Sequence, residues 1–169
     1  MARPPVKTNP LNGPLTILGL ALASLTFGLD QLFKWWMLGP FDIATKGLVT
    51  ITPFFDLVLA WNRGVSYGWF AQHSDEGQII LVVVSLIITA ILWLWLARTN
   101  RPLAAAALGL VIGGALGNAL DRVVHGAVAD FFLLHAYGYS WYVFNIADMA
   151  IVAGVGLLLY DSYREGRAS

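Results

Sequence analysis

From Ile79 to Ala97 the sequence runs without a charged residue, and nearly every side chain is aliphatic or tryptophan. About 20 apolar residues in a helix match the hydrocarbon thickness of a bilayer, whereas a surface helix of a water-soluble protein carries one polar face. This segment is therefore expected to cross a membrane. Three other segments share its character: Leu15 to Leu38, interrupted by Asp30 and Lys34; Leu103 to Leu120; and Asn145 to Tyr160, extendable to about residue 163. Hydrophobic residues make up 58% of the chain and charged ones 12%, against roughly 45–50% and about 25% in soluble domains. The expected fold class is an all-α integral membrane protein. It has four transmembrane helices, near 15–38, 79–97, 103–120 and 145–163, in a single membrane-embedded domain over 1–169. Gly109, Gly113, Gly114 and Gly117 let helix backbones approach closely in lipid, so the third helix is expected to be the central one.

Between the first two helices, in 41–77, Val49, Ile51, Leu57, Leu59 and Trp61 fall on alternating positions with Pro53 between the runs. That pattern predicts a small extracytoplasmic β-element, and its glycines and aromatic residues suit a mobile cover. Phe54, Phe55, Trp61 and Trp69 would also suit the headgroup level. Val123 to Phe144, joining helices three and four, reads as irregular. For the first segment a cleavable secretory signal is the competing reading, because Ala21-Leu22-Ala23 has the small-residue spacing of a processing site. The apolar stretch continues well past it, which favours a span.

Basic residues set the orientation. Arg3 and Lys7 precede helix one, Arg98 and Arg101 lie in the turn after helix two, and Arg164 and Arg167 follow helix four. The positive-inside rule makes their shared side cytoplasmic, with both termini inside and both longer loops outside. Ten basic residues balance ten acidic ones, so nothing predicts a nucleic-acid partner. The chain has no cysteine, which excludes disulfides, thiolate metal sites and a cysteine nucleophile.

Ionisable groups in or beside membrane helices mark function by default. Asp30 and Lys34 share a face at the outer end of helix one; Asn118, Asp121 and Arg122 share one at the outer end of helix three. Asn145 and Asp148 stand at the outer start of helix four, and Asp130 lies on the loop before it. The topology read from arginines and lysines thus carries all of them to one rim. Each has a simpler reading. Asp30 with Lys34 could be a helix-surface ion pair, Asp121 with Arg122 a helix end entering water, and Asn145 an N-cap. Asp148 is harder to explain so, because Met149-Ala150-Ile151-Val152 follows it. Two carboxylates close together at low dielectric tend to share one proton and so supply a base and an acid together. Asp130 and Asp148 are the natural pair, one loop joining them and both lying beside hydrophobic residues. Asp121 is expected to orient Arg122.

Other chemistries fit less well. Gly64-Val65-Ser66-Tyr67-Gly68 matches G-x-S-x-G, which carries meaning only on the strand-to-helix turn of a soluble hydrolase. His73, His125 and His135 lack a metal-binding helix pattern, although His125, Asp130 and His135 could form a zinc set; no metal and no cofactor is expected. A transport protein would also hold intramembrane carboxylates, but spread through the membrane depth, and a bare membrane scaffold gives no reason for polar residues to converge.

With these clusters in view, the chain resembles the bacterial lipoprotein signal peptidases, or signal peptidase II. The matching segments are Asp30-Gln31-Leu32-Phe33-Lys34, Asn62-Arg63-Gly64-Val65-Ser66, and the run from Gly113 to Arg122. Gly126-Ala127-Val128-Ala129-Asp130-Phe131 and Phe144-Asn145-Ile146-Ala147-Asp148 complete the set. The resemblance implies an aspartyl endopeptidase of the bacterial inner membrane, active toward the outer face, that needs no cofactor. It would cut the signal peptide from diacylglyceryl-modified prolipoproteins on the amino side of the modified cysteine. Asp130 and Asp148 would be catalytic; Asn118, Arg122 and Asn145 would organise the site, with Asp121 beside them and Asp30 and Lys34 in support. Asn62, Arg63 and Gly64 would face the substrate. Membrane lipid is an implied partner, and peptide antibiotics that mimic the substrate are implied ligands. Tyr67 stands where phenylalanine is common and Ala129 where a larger aliphatic residue is common, departures that bear on loop packing.

Overall fold

Four long helices carry the chain back and forth, and two β-hairpins between them build one sheet at a single end. The computed structural model describes residues 11–64 and 75–167. Its elements in order are α1 (Thr16–Leu38), α2 (Ile43–Lys46), β1 (Val49–Thr52), β2 (Phe55–Asn62), α3 (Asp75–Leu96), α4 (Pro102–His125), β3 (Val128–Ala136), β4 (Tyr139–Phe144) and α5 (Ile146–Gly166). The four long helices are all long and apolar enough to span a bilayer.

Burial ranks them. Of the most apolar window of α4, 61% of residues are buried inside the protein, against 6% for α3, so α4 is the central helix and α3 presents most of its surface to lipid. Small residues make this possible. Along α4, Gly109, Gly113 and Gly117 recur every four residues, the spacing that returns to one helix face. A Cβ on Gly109 would meet the Gly19 carbonyl oxygen of α1, and one on Gly113 the Ala23 carbonyl oxygen. Gly114, on the adjoining face, admits the Ala147 carbonyl of α5 in the same way. Without a hydrophobic drive between helices in lipid, such close backbone packing is a main source of association. Gly113→Leu should therefore force α1 from α4 and cost roughly 1–3 kcal/mol, as overpacking typically does. The control is Gly156→Leu on α5, where nothing lies within 4 Å of an added Cβ. Thermal unfolding in detergent reads the difference, and equal midpoints for the two variants would refute this account of the interface.

The sheet has the order β1-β2-β3-β4, antiparallel throughout. The expected β-element is present as β1 and β2, but it is half of the sheet: residues 123–144, read as irregular, form the end of α4 and then β3 and β4. The reason is visible in β3, whose first four residues, Asp130 among them, are all buried, so burial runs continuously and hides the period of two. β2 pairs with β3 from Phe55↔Leu134 to Asn62↔Val128. The β1–β2 part of the 41–77 segment is thus hydrogen-bonded into the sheet. Trp69, His73, Tyr67 and most of the G-x-S-x-G match lie outside the described residues.

A second apolar cluster ties the sheet to the C-terminal end of α1. Met37, Ile43, Ala129 and Phe131 are its buried members, with Phe33, Leu57 and Phe132 packed against them. Phe33 meets the Phe131 ring edge-on at 5.8 Å. Gly126 ends α4 with φ of 67° in the left-handed region, donating its N–H to the Arg122 carbonyl, and turns the chain directly into β3. That turn brings Asp130 back over the helix it has just left.

Candidate active site

Asp130 is 1% exposed, at the third position of β3, among residues buried on both sheet faces. Asp148 occupies the first turn of α5, whose N-terminus is capped by Asn145. The Asn145 Oδ1 accepts from the Asp148 N–H at 2.9 Å, and the Asn145 N–H donates to Asp148 Oδ2 at 3.3 Å, a reciprocal capping box. Capping does not exhaust Asn145. Its Nδ2 also donates to Asp130 Oδ1 at 2.6 Å and to Asn118 Oδ1 at 3.1 Å. Asn118 in turn donates through Nδ2 to Asp148 Oδ1 at 2.8 Å. Two amides therefore bind two carboxylates into one network, and every amide assignment follows from that pattern.

This geometry has an electrostatic consequence. Burial first, and then the Asp148 carboxylate, push the Asp130 carboxyl up to about 7, against the opposing bonds from Asn62 and Asn145.

Around the pair, Arg122 donates to the Asn118 carbonyl at 3.2 Å and to the Gly64 carbonyl at 3.0 Å. Gly64 N–H donates to Asn62 Oδ1 at 3.0 Å, and Asn62 Nδ2 donates to the Tyr142 hydroxyl. The Arg63 side chain is exposed, and its carbonyl accepts from Gln78 Nε2 at 2.7 Å. A cavity of about 300 Å³ opens beside these groups, lined at its polar end by Asn62, Asn118, Arg122, Tyr142 and Asp148. Leu81, Val84 and Ile88 of α3 and Val111 of α4 make its apolar end. It offers polar contacts at the rim and an apolar channel into the membrane depth.

All three polar clusters of the sequence meet. Asp30 and Lys34, whose simplest reading was a surface pair, are buried, with side chains 1% and 5% exposed. Asp121, which might have marked a helix end in water, is 3% exposed. It does not hold Arg122 by an ion pair; it contacts Lys34 and accepts from the Ala129 N–H instead. The reason is α4's length: the helix continues to His125, so Asp121 still faces inward toward α1 while Arg122 turns toward Gly64. His125 lies against the Trp61 ring and His135 pairs with Asp56 at 2.9 Å, so neither joins Asp130 in a metal set. Sequence reasoning passed over Gln31 and Tyr142. Gln31, an amide in an apolar helix beside Asp30, was a readable signal. Tyr142 was hidden by the missed strand β4.

Fold and site together define a multi-spanning membrane protein with paired aspartates at one end of its helices. Residues 22–164 match the family model described as Signal peptidase (SPase) II. The chain is 53% identical over 149 residues to the lipoprotein signal peptidase of Rhodopseudomonas palustris (strain ATCC BAA-98 / CGA009), covering 86% of this chain and 91% of that one. It is 52% identical to that of Nitrobacter hamburgensis, with the same coverages, and 51% identical over 152 residues to that of Methylobacterium sp. (strain 4-46), covering 89% and 92%. A bacterial membrane enzyme solved by the in meso method at 2.3 Å shares the fold, with a TM-score of 0.76 at 24% identity over 88% of this chain and 89% of its own. The chain belongs to the signal peptidase II family, and it is accordingly an aspartic peptidase of the bacterial membrane with the expected four-helix architecture.

Proposed function

We propose that this chain removes the signal peptide from diacylglyceryl-modified prolipoproteins, cutting on the amino side of the lipid-modified cysteine, with Asp130 and Asp148 as its catalytic pair. One observation carries the assignment: both carboxylates bond to Asn145, Asp130 buried and Asp148 at the polar end of a cavity whose other end is apolar. The ionised member of the pair takes a proton from water as it attacks the scissile carbonyl. The protonated member polarises that carbonyl and then protonates the leaving amine. Because the pair titrates as a unit, its resting proton belongs to both. Asn118 and Asn145 keep the carboxylates oriented, and Arg122, Asn62 and Gly64 line the approach of the substrate backbone. The signal peptide's apolar segment lies along α3 and α4, and the acyl chains stay in lipid. Peptide antibiotics that mimic the substrate would compete for the same cavity.

The transport reading would need ionisable groups through the membrane depth. Between the N-terminal end of α1 and Asp30, and along α3 from Gly77 to Leu96, no charged residue occurs. The assignment is tested with purified protein and a precursor prepared with and without the diacylglyceryl group. Cleavage is expected only of the modified form, and equal cleavage of both would exclude lipid-dependent recognition.

We also place both termini in the cytoplasm and the sheet on the outer face of the inner membrane. Arg98, Arg101, Arg164 and Arg167 support this orientation, all lying at the end opposite the aspartates. A reporter active only outside the cytoplasm, fused after Ser169, should be silent. Its activity would reverse the topology and move the site to the cytoplasmic face.

A further inference from the structure

Lys34 Nζ lies 2.7 Å from Asp30 Oδ2 and 2.8 Å from Asp121 Oδ2, with all three side chains at most 5% exposed. Each of these carboxylates has a second engagement. Asp30 Oδ1 accepts from the Ala147 N–H at 3.0 Å, and Asp121 Oδ2 accepts from the Ala129 N–H at 3.1 Å. Ala147 immediately precedes Asp148, and Ala129 immediately precedes Asp130. A third arm runs from Lys34 Nζ to Asn118 Oδ1 at 3.4 Å, and Asn118 donates to Asp148. Gln31 Nε2 bridges the same two carboxylates, at 3.1 Å from Asp30 Oδ2 and 3.0 Å from Asp121 Oδ1.

The chain thus reaches each catalytic aspartate through the backbone amide before it, and both amides end on one ammonium group. We propose that Lys34, held between Asp30 and Asp121, is a positioning residue that sets the separation of Asp130 and Asp148. This rests on the dyad reading given above.

The physics favours a geometric role over a stabilising one. A buried ion pair gains little net stability, because desolvating its charges offsets their attraction, while removing one partner leaves an uncompensated charge. Here removal of Lys34 would leave two carboxylates facing each other, and their repulsion would act on Ala147 and Ala129 in opposite directions. β3 and α5 belong to different elements, so the dyad separation would open. Gly117 has the same logic: a Cβ there would lie 2.6 Å from Asp30 Oδ2, so only glycine leaves that carboxylate its place.

The test uses the full-length protein in detergent and a diacylglyceryl-modified precursor. Lys34→Met removes the charge at similar length. It is expected to lower kcat about a hundred-fold, the scale of a misplacement near 1 Å, with KM little changed. The triple variant Asp30→Asn/Lys34→Met/Asp121→Asn keeps an amide oxygen for each alanine N–H and has no buried charge to repel. It should recover at least about ten-fold of the lost kcat, since neutral replacements of buried charge clusters are commonly well tolerated. Parental kcat in folded Lys34→Met, or a folded triple variant no better than the single one, would overturn the clamp. If Lys34→Met does not fold, the triple variant is read directly against the parent, and a folded but inactive triple refutes the proposal. Asp130→Asn runs in parallel: if it still cleaves, the dyad reading has failed, and the Lys34 result is then judged apart from it.

Discussion

Asp130→Asn and Asp148→Asn are each expected to abolish cleavage of a lipid-modified precursor in protein that remains folded. Asparagine keeps the shape of aspartate and one acceptor oxygen, so Asn145 can still donate at position 130 and Asn118 at position 148. What is lost is the carboxylate base at one position or the acidic proton at the other. General acid–base assistance is worth typically ~10²–10⁴-fold per positioned group, and groups that act as a unit lose activity non-additively. The double variant should therefore be little worse than either single one. Asp121→Asn is the control, with a smaller loss expected. Its side chain reaches the dyad indirectly, through the Ala129 N–H, Lys34 and Gln31, and asparagine can still accept from that amide. Initial rates on a defined precursor, measured after each variant is shown to unfold at no lower temperature than the parent, decide the matter. Near-parental cleavage by folded Asp130→Asn or Asp148→Asn would remove that residue from the chemistry.

Much of this architecture is legible because lipid imposes simple rules. Four apolar segments of spanning length can be little else, and the glycines of α4 mark the helix that others press against. The convergence of the polar clusters is also legible, since positive-inside topology alone assigns Asp30, Asp121 and Asp148 to one end. The pairing within that end is not. Whether Asp121 turns to Arg122 or to Lys34 depends on where α4 stops, and helix ends are the least sequence-determined part of a helix. Nor does β3 declare itself, because Val128, Ala129 and Phe131 are buried together and leave no alternation to read. The chemistry of Asp130, a carboxylate beside Phe131 and Phe132, is legible without the strand that positions it.

Stability should respond to the same carboxyl in the opposite sense from activity. Asp130 titrates at about 7 in the folded protein and at 3.8 when unperturbed. Between those values the folded chain keeps a proton that the unfolded chain has released. Raising the pH through this window therefore removes stability, which is full below about pH 4 and lost once the folded group ionises near pH 7. A shift of this size corresponds to something on the order of 4 kcal/mol at pH 8. Asparagine resembles the protonated acid at every pH. Asp130→Asn is accordingly expected to unfold at higher temperature than the parent at pH 8, on the order of 10 °C higher. At pH 4 the two should nearly coincide. Thermal unfolding in detergent across that range measures it, and a difference that does not change with pH would show that Asp130 is not held uncharged by its surroundings. Asp148→Asn extends the test. With the neighbouring charge gone, burial is left to oppose the Asn62 and Asn145 bonds and the Lys34 charge, Asp130's titration moves back toward the ordinary carboxylate range, and the pH-dependent part of the instability should shrink.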